Sequence, residues 1–120
     1  MTAPHVLSVG SDRRVLLARH TLLEEAGFAV TSVDTTYEGL KTLAAGGFDA
    51  VVVGHGFPFT EQQLFAAEVG ERWRIPVIVL YKGNADFQVT ADAQVEITKD
   101  AAELVATLNS LISRRQKRFA

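Results

Sequence analysis

Cysteine is absent from the 120-residue chain, which excludes a disulfide framework and any metal site built on thiolates. Histidine is scarce. The three residues, His5, His20 and His55, are dispersed along the sequence, so a histidine metal site is not expected. Neither sign of charge dominates, because 12 basic and 14 acidic side chains give a net charge of −2. This balance argues against a general nucleic-acid or membrane surface.

Long apolar runs are also missing from the sequence. No run approaches the roughly 20 residues of a membrane span. The first residues, Met1 to Pro4, lack the basic and apolar regions of a secretory signal. Together with the lack of cysteine, these absences lead us to expect a cytoplasmic protein that makes no membrane contact.

What the chain does contain is an alternation of short apolar runs with helical patterns. Hydrophobic residues make up 48% of the sequence, which is enough for the core of one domain. Strands are predicted over 6–9, 28–33, 49–53, 76–81 and 95–98, and helices over 12–26, 36–45, 61–72 and after Asp100. This order predicts a single α/β domain over 1–120, a doubly wound five-stranded parallel sheet with helices on both faces.

Helix ends and buried faces can also be predicted. Ser11 or Asp12 is expected to cap the first helix, and Gly27 to follow its C-terminus. Thr60 with Gln63 resembles a capping box for the third helix. Two apolar stripes at helical spacing are expected to face the core: Val15, Ala18, Leu22 and Ala26 in the first helix, and Leu104, Val105, Leu108, Leu111 and Ile112 in the last.

The carboxyl ends of the strands are where function is expected. Open parallel sheets bind ligands there, at the point where the strand order switches. The candidate residues are Gly10–Asp12, Gly54–Pro58, Tyr81–Lys82 and Lys99. A basic stretch over 114–118 is interpreted as a solvated helix end, with nucleic-acid or anionic membrane contact as the less favoured alternative.

Five features of the sequence form a recognisable set: LLEEAGFAV over 22–30, FDAVVV over 48–53, Pro58 four residues after Gly54, PVIVL over 76–80, and Thr98-Lys99. In these features, which extend over almost the whole chain, the sequence resembles the receiver domain of response regulators in bacterial two-component (phosphorelay) signal transduction. This resemblance carries the following expectations. It implies a flavodoxin-like, three-layer α/β/α fold. It also implies a stand-alone receiver-like domain that acts in signalling.

The residues that carry the chemistry of that family are mostly replaced. Gly10 and Ser11 stand where the family has an acidic pair that binds Mg²⁺, and Gly54 stands at the phosphoacceptor aspartate. Aspartyl phosphorylation needs a carboxylate nucleophile and a metal ion held by oxygen ligands. Asp49 cannot replace the missing phosphoacceptor at 54, because Asp49 lies at the other end of the third strand and on the opposite face. We therefore expect no metal site, no cofactor, no catalytic residue and no enzymatic activity.

Further departures lie at the fourth and fifth strands. Tyr81 stands where the family has Ser or Thr, Glu96 replaces an aromatic residue, and Asp100 replaces a proline, whereas Lys99 matches. The segment 82–94 is short for the family, so we expect a shortened fourth helix of at most one turn. The expected degenerate receiver pocket, in which Lys99 could pair with Asp12, comprises Gly10, Ser11, Asp12, Gly54, Tyr81 and Lys99.

Two functions from different classes remain open at this point. The favoured one is phosphorylation-independent interaction with a protein partner of a signalling pathway, or self-association. The alternative is a flavodoxin-like domain that binds a small ligand at the strand ends, in a pocket lined by Tyr81, His55 and Lys99. An active phosphotransfer enzyme is the least favoured hypothesis.

Overall fold

A computed structural model describes residues 3–83, 91–97 and 101–119 of the chain. Strands and helices alternate through most of it, as the sequence predicts. The strands are β1 (His5–Val9), β2 (Ala29–Val33), β3 (Ala50–Val53), β4 (Val77–Tyr81) and β5 (Ala93–Glu96), and the helices are α1 (Arg13–Glu25), α2 (Thr36–Ala44), α3 (Phe59–Trp73) and α4 (Ala101–Phe119).

The five strands form one parallel sheet in the order β2-β1-β3-β4-β5. This is the flavodoxin-like order that the resemblance implied, and the strand order switches between β1 and β3. In the register of these two strands, Val9 is paired with Val53. The residues that follow them, Gly10 and Gly54, therefore lie side by side at the carboxyl edge of the sheet.

Each face of the sheet packs against two helices. One cluster of buried side chains joins β1, β3 and β4 to α2 and α3, and a second joins the opposite face to α1 and α4. Alternation along β3 explains the division, because Val51 and Val53 belong to the first cluster and Ala50 and Val52 to the second. All four residues of β3 are fully buried, so its apolar run is that of a central parallel strand, as predicted.

The predicted ends of α1 are confirmed. The Asp12 carboxylate accepts hydrogen bonds from the backbone N–H groups of Arg14 and Val15, at 3.0 and 3.4 Å. Gly27 follows the C-cap residue Ala26 with a φ of +101°, a conformation that glycine adopts without the steric cost of a Cβ atom.

Of the predicted buried face of α1, Leu22 packs against the second cluster and is half-buried, but Val15, Ala18 and Ala26 are exposed, so the face is displaced by one position. Its buried residues are Leu16, Arg19 and Leu23, whereas Val15 is 41% exposed and Leu17 is 68% exposed. The stripe predicted from Val15 counted apolar residues only and therefore passed over Arg19. A buried arginine takes a core position of the helix in this fold.

The predicted capping box of α3 is also wrong. The helix begins at Phe59, with Pro58 at the N-cap and no side-chain capping hydrogen bond, so Thr60 lies inside the first turn. Proline at this point has no N–H group that would need a partner, and its fixed φ suits the entry to a helix.

The fifth strand lies two residues earlier than predicted. It covers Ala93–Glu96, and residues 93 and 94, which precede the predicted strand, pair with β4. Asp92 fixes this entry by accepting a hydrogen bond from the backbone N–H of Val77 at 2.8 Å. Residues 84–90 and 98–100 lie outside the described residues. The expected shortened fourth helix falls on the first of these ranges, and Lys99 and Asp100 fall on the second.

The apolar stripe of α4 is confirmed, because all five of its predicted residues belong to the second cluster. The basic stretch continues this helix, and Arg115 pairs with Asp49 at 3.5 Å. Asp49 also accepts a hydrogen bond from the backbone N–H of His5. Within the part of the chain that the structure describes, no helix is long and apolar enough to cross a membrane.

The corrected face of α1 can be tested with two adjacent leucines. We predict that Leu16→Ala lowers the free energy of unfolding by about 2–5 kcal/mol, because Leu16 is only 7% exposed. Leu17→Ala makes the same chemical change on the exposed side and is expected to alter stability by about 0.5 kcal/mol at most. Urea denaturation of both variants measures the difference. An equal loss in the two variants would contradict the buried face that the structure assigns to α1.

Candidate functional site

A cavity of about 250 Å³ lies at the carboxyl edge of the sheet, where β1 and β3 end. The two strand ends are held together by a 2.8 Å hydrogen bond from the Gly54 N–H to the Val9 carbonyl oxygen. The wall of this strand-end cavity is formed by Gly10, Ser11, Asp12, Val15, Arg19, Gly54, His55 and Gly56.

Four of the six residues predicted for the pocket therefore come together: Gly10, Ser11, Asp12 and Gly54. Tyr81 ends β4 and is half-buried, but it is not part of the wall of this cavity. The predicted pairing of Lys99 with Asp12 stays a prediction. Of the residues expected to line a small-ligand pocket, the structure places His55 on the wall.

Arg19 is the charged group at the base of this site, and the sequence prediction missed it. The residue is only 8% exposed. Its Nε donates a hydrogen bond to Ser8 Oγ at 2.9 Å, and its Nη2 donates to the Val9 carbonyl oxygen at 3.2 Å. Both acceptors are neutral, and no carboxylate among the described residues forms an ion pair with the guanidinium. Such a buried charge is rare unless it is paired.

The two glycines at the strand ends provide the space for this guanidinium. A Cβ atom on Gly10 would lie 2.8 Å from Arg19 Nη2, and a Cβ atom on Gly54 would lie 3.3 Å from the same nitrogen. A Cβ atom on Gly54 would also lie 3.2 Å from the Val9 carbonyl oxygen and 3.4 Å from Gly10 Cα. A larger residue at 10 would therefore require the end of the Arg19 side chain to shift, and one at 54 would be in tight contact with it, so the three positions pack as one unit.

Burial lowers the pKa of Arg19 from its usual value to about 10. The direction follows from desolvation, which disfavours the charged form of a base. Since the pKa is lower in the folded protein than in the unfolded chain, the buried charge reduces stability at every pH below the folded value, and this cost decreases as the pH rises through about 10. The guanidinium is therefore charged at neutral pH, at the expense of folding free energy.

Asp12 and Ser11 complete the polar part of the wall. Asp12 brings the one carboxylate of the wall, and it caps α1 through the N–H groups of Arg14 and Val15. The Ser11 hydroxyl packs so closely on Gly56 that a Cβ atom at that glycine would collide with it. The strand-end cavity thus contains one buried cation, one exposed anion and the imidazole of His55.

Gln62 is a second buried polar residue that the sequence prediction missed. It lies on α3, is 7% exposed, and its Nε2 donates to the carbonyl oxygens of Gly54 and Leu80, at 2.8 and 3.3 Å. These bonds satisfy two backbone acceptors at the ends of β3 and β4. A signal for both residues was present, since Gln62 precedes the buried Phe65 by three positions and Arg19 follows Leu16 by three.

The other candidate ligands lie apart from one another. The imidazole of His5 hydrogen-bonds with Thr31 Oγ1 and that of His20 with Ser32 Oγ, each at 2.8 Å. Over the described ranges, no three His, Cys, Asp or Glu side chains are grouped so as to hold a metal ion. The Asp49 carboxylate accepts a hydrogen bond from the His5 N–H at the amino edge of the sheet. This is the end of β3 at which its spacing from Gly54 predicted it to lie.

The coupling between Arg19 and Ser8 can be tested by a double-mutant cycle. Ser8→Ala leaves a buried, charged donor without its acceptor, so we predict that it lowers the free energy of unfolding by about 1–3 kcal/mol. Ser8→Ala/Arg19→Met removes both partners and the desolvated charge, and is expected to recover most of this loss. Urea denaturation of Ser8→Ala, Arg19→Met and the double variant gives the three changes in the free energy of unfolding that the cycle requires.

Arg14→Met is the matched control for this cycle, because it removes an exposed arginine from the same helix and should leave stability within about 0.5 kcal/mol of the wild type. A double variant less stable than Ser8→Ala alone would mean that the buried guanidinium stabilises the fold.

Comparison with known proteins identifies the fold. No protein-family model matches the chain, and no curated protein sequence matches it. Solved structures do. The CheY-like response regulator receiver domain protein from Methanospirillum hungatei superposes with a TM-score of 0.85 at 19% identity, over 98% of this chain and 99% of that chain. The response regulator receiver domain protein from Clostridium thermocellum gives 0.83 at 19% identity, over 94% and 97%.

A third similar structure contains a partner protein. It is the complex of the histidine kinase ThkA with the response regulator TrrA of Thermotoga maritima, matched with a TM-score of 0.79 at 19% identity, over 90% of this chain and 97% of that chain. Each neighbour is covered almost completely, and the strand order observed here is that of the flavodoxin-like fold. The chain therefore has the fold of a response regulator receiver domain.

Proposed function

We propose that the chain is a receiver-like domain that acts in two-component signalling through contact with a protein partner, or with a second copy of itself, without being phosphorylated in its own pocket. The receiver fold supports the signalling context. The complex of TrrA with a histidine kinase supports a protein partner, since a protein of the same fold is bound there. The proposal includes a cytoplasmic location and no enzymatic activity.

The observation that carries this proposal is the position of Arg19 between Gly10 and Gly54. The resemblance places an acidic residue at 10 and the phosphoacceptor at 54. Here Arg19 Nη2 would lie 2.8 Å from a Cβ atom at 10 and 3.3 Å from a Cβ atom at 54. A buried positive charge at this point opposes the binding of Mg²⁺, because like charges repel strongly where water is excluded. It also fills space that an acidic side chain would need.

The remaining carboxylates offer no ready substitute. Asp12 lies on the wall of the cavity, but its Oδ1 accepts two backbone hydrogen bonds at the start of α1. Mg²⁺ requires near-octahedral oxygen ligands, and the wall brings one carboxylate for it. Asp49 is bound to His5 and Arg115 at the opposite edge of the sheet.

Exposed apolar side chains support a protein-binding function. Leu17 on α1, Tyr37 on α2 and Leu64 on α3 are 68%, 68% and 67% exposed, respectively. The burial of one such side chain at an interface is favourable by about 1.5–3 kcal/mol.

The proposal predicts that the intact mass of the protein is unchanged after incubation with acetyl phosphate and Mg²⁺, because no carboxylate nucleophile with a bound metal is available. Mass spectrometry of the intact protein makes the measurement, and a receiver domain that accepts a phosphoryl group serves as the positive control. Asp12→Asn is treated in parallel, since asparagine keeps the N-cap of α1 while it removes the remaining carboxylate of the wall.

A persistent mass gain of one phosphoryl group that hydroxylamine removes would overturn the proposal. If that gain were lost in Asp12→Asn, the acceptor would be Asp12. Sedimentation with and without Mg²⁺ and beryllofluoride tests the second half of the proposal, which requires the same oligomeric state in both conditions.

A further inference from the structure

The strand-end cavity contains a buried positive charge that nothing in the described protein neutralises. Arg19 is 8% exposed, and its two hydrogen bonds go to the neutral oxygens of Ser8 and Val9. A guanidinium has five N–H donors, so these two bonds leave further donors for a ligand. A charge that is buried without a counter-ion reduces stability, and such groups are concentrated at functional sites.

The arginine is also part of the cavity wall rather than of the sealed core. Three of the other wall residues are the glycines at 10, 54 and 56, so backbone atoms as well as the guanidinium border the cavity. The Ser11 hydroxyl and the His55 imidazole, on the same wall, are further hydrogen-bond donors.

From this arrangement we infer that the strand-end cavity binds a small oxyanion, of the size of phosphate or sulfate, on the guanidinium of Arg19 and without a metal ion. The anion supplies the missing counter-charge, and an arginine next to a tetrahedral oxyanion forms charge-assisted, often bidentate hydrogen bonds. The pocket that the resemblance assigns to a cation would thus bind the opposite charge.

Asp12 sets the strength of this site. Its carboxylate lies on the same wall and repels an anion, so the affinity of the wild-type protein is reduced by it. Replacement by asparagine removes the repulsion and keeps the cap on α1. The substitution also distinguishes the two kinds of site, because Asp12→Asn would strengthen the binding of an anion and weaken the binding of Mg²⁺.

Titrations with sodium phosphate and, separately, with sodium sulfate test the inference. Binding is monitored in ¹H–¹⁵N correlation spectra at pH 7 and constant ionic strength, with sodium chloride as the reference. We expect saturable shifts at the amides of Gly10, Ser11, Gly54, His55 and Gly56. Asp12→Asn should lower Kd roughly three- to tenfold. Ser8→Ala/Arg19→Met, which removes the guanidinium together with its acceptor, should lose the shifts. Arg72→Met, which removes an exposed arginine on α3, should keep them.

Three outcomes would overturn the inference: no difference from sodium chloride in both the wild type and Asp12→Asn, shifts that persist in Ser8→Ala/Arg19→Met, or weaker binding in Asp12→Asn. Shifts confined to surface arginines would mean non-specific binding and would count against it as well. The inference concerns the same pocket as the proposed function. However, the mass measurement tests covalent phosphorylation and the titration tests reversible binding, so either can fail without the other.

Discussion

The carbonyl oxygen of Val9 accepts two hydrogen bonds at the point where the strand order of the sheet switches. The first, from the N–H of Gly54 at 2.8 Å, joins the ends of β1 and β3, and the second, from Arg19 Nη2 at 3.2 Å, ties α1 to that junction. The space around them is small, because a Cβ atom at 10 would lie 2.8 Å from Arg19 Nη2 and one at 54 would lie 3.2 Å from the Val9 oxygen. The sheet, the helix and the cavity therefore share one close contact.

This contact is possible because the sheet beneath it is rigidly packed. β1 and β3 are buried on both faces, by α2 and α3 on one side and by α1 and α4 on the other. Interiors of this kind are close-packed and tolerate little change of volume. The positions of Gly10 and Gly54 are thus fixed by the strands that lead to them, and Arg19 is fixed by Leu16 and Leu23 on the same buried face of α1.

The fold and the chemistry of this domain come from different parts of the molecule. Apolar strands and amphipathic helices produce the fold of response regulator receiver domains, which the superposed structures share. The strand-end residues determine what that architecture can bind. In this chain those ends bring a buried arginine and two glycines to the edge where flavodoxin-like sheets accept ligands.

The sequence by itself determined the order of the elements, because apolar patterns mark each of them. The continuous apolar run of β3, which is buried on both faces, and the helical stripe of α4 are the strongest of these patterns. That Gly10 and Gly54 meet was implied by the resemblance, through the strand order it carries, and the register of β1 and β3 shows it. The sequence did not determine the buried face of α1 or the start of α3. Arg19 counts as polar in any apolar pattern, and Thr60 has the local chemistry of a cap that Pro58 replaces. Only the tertiary structure decided these points. The burial of the Arg19 charge depends on the space that Gly10 and Gly54 leave for it, and this space cannot be predicted from the residues next to Arg19 in the sequence.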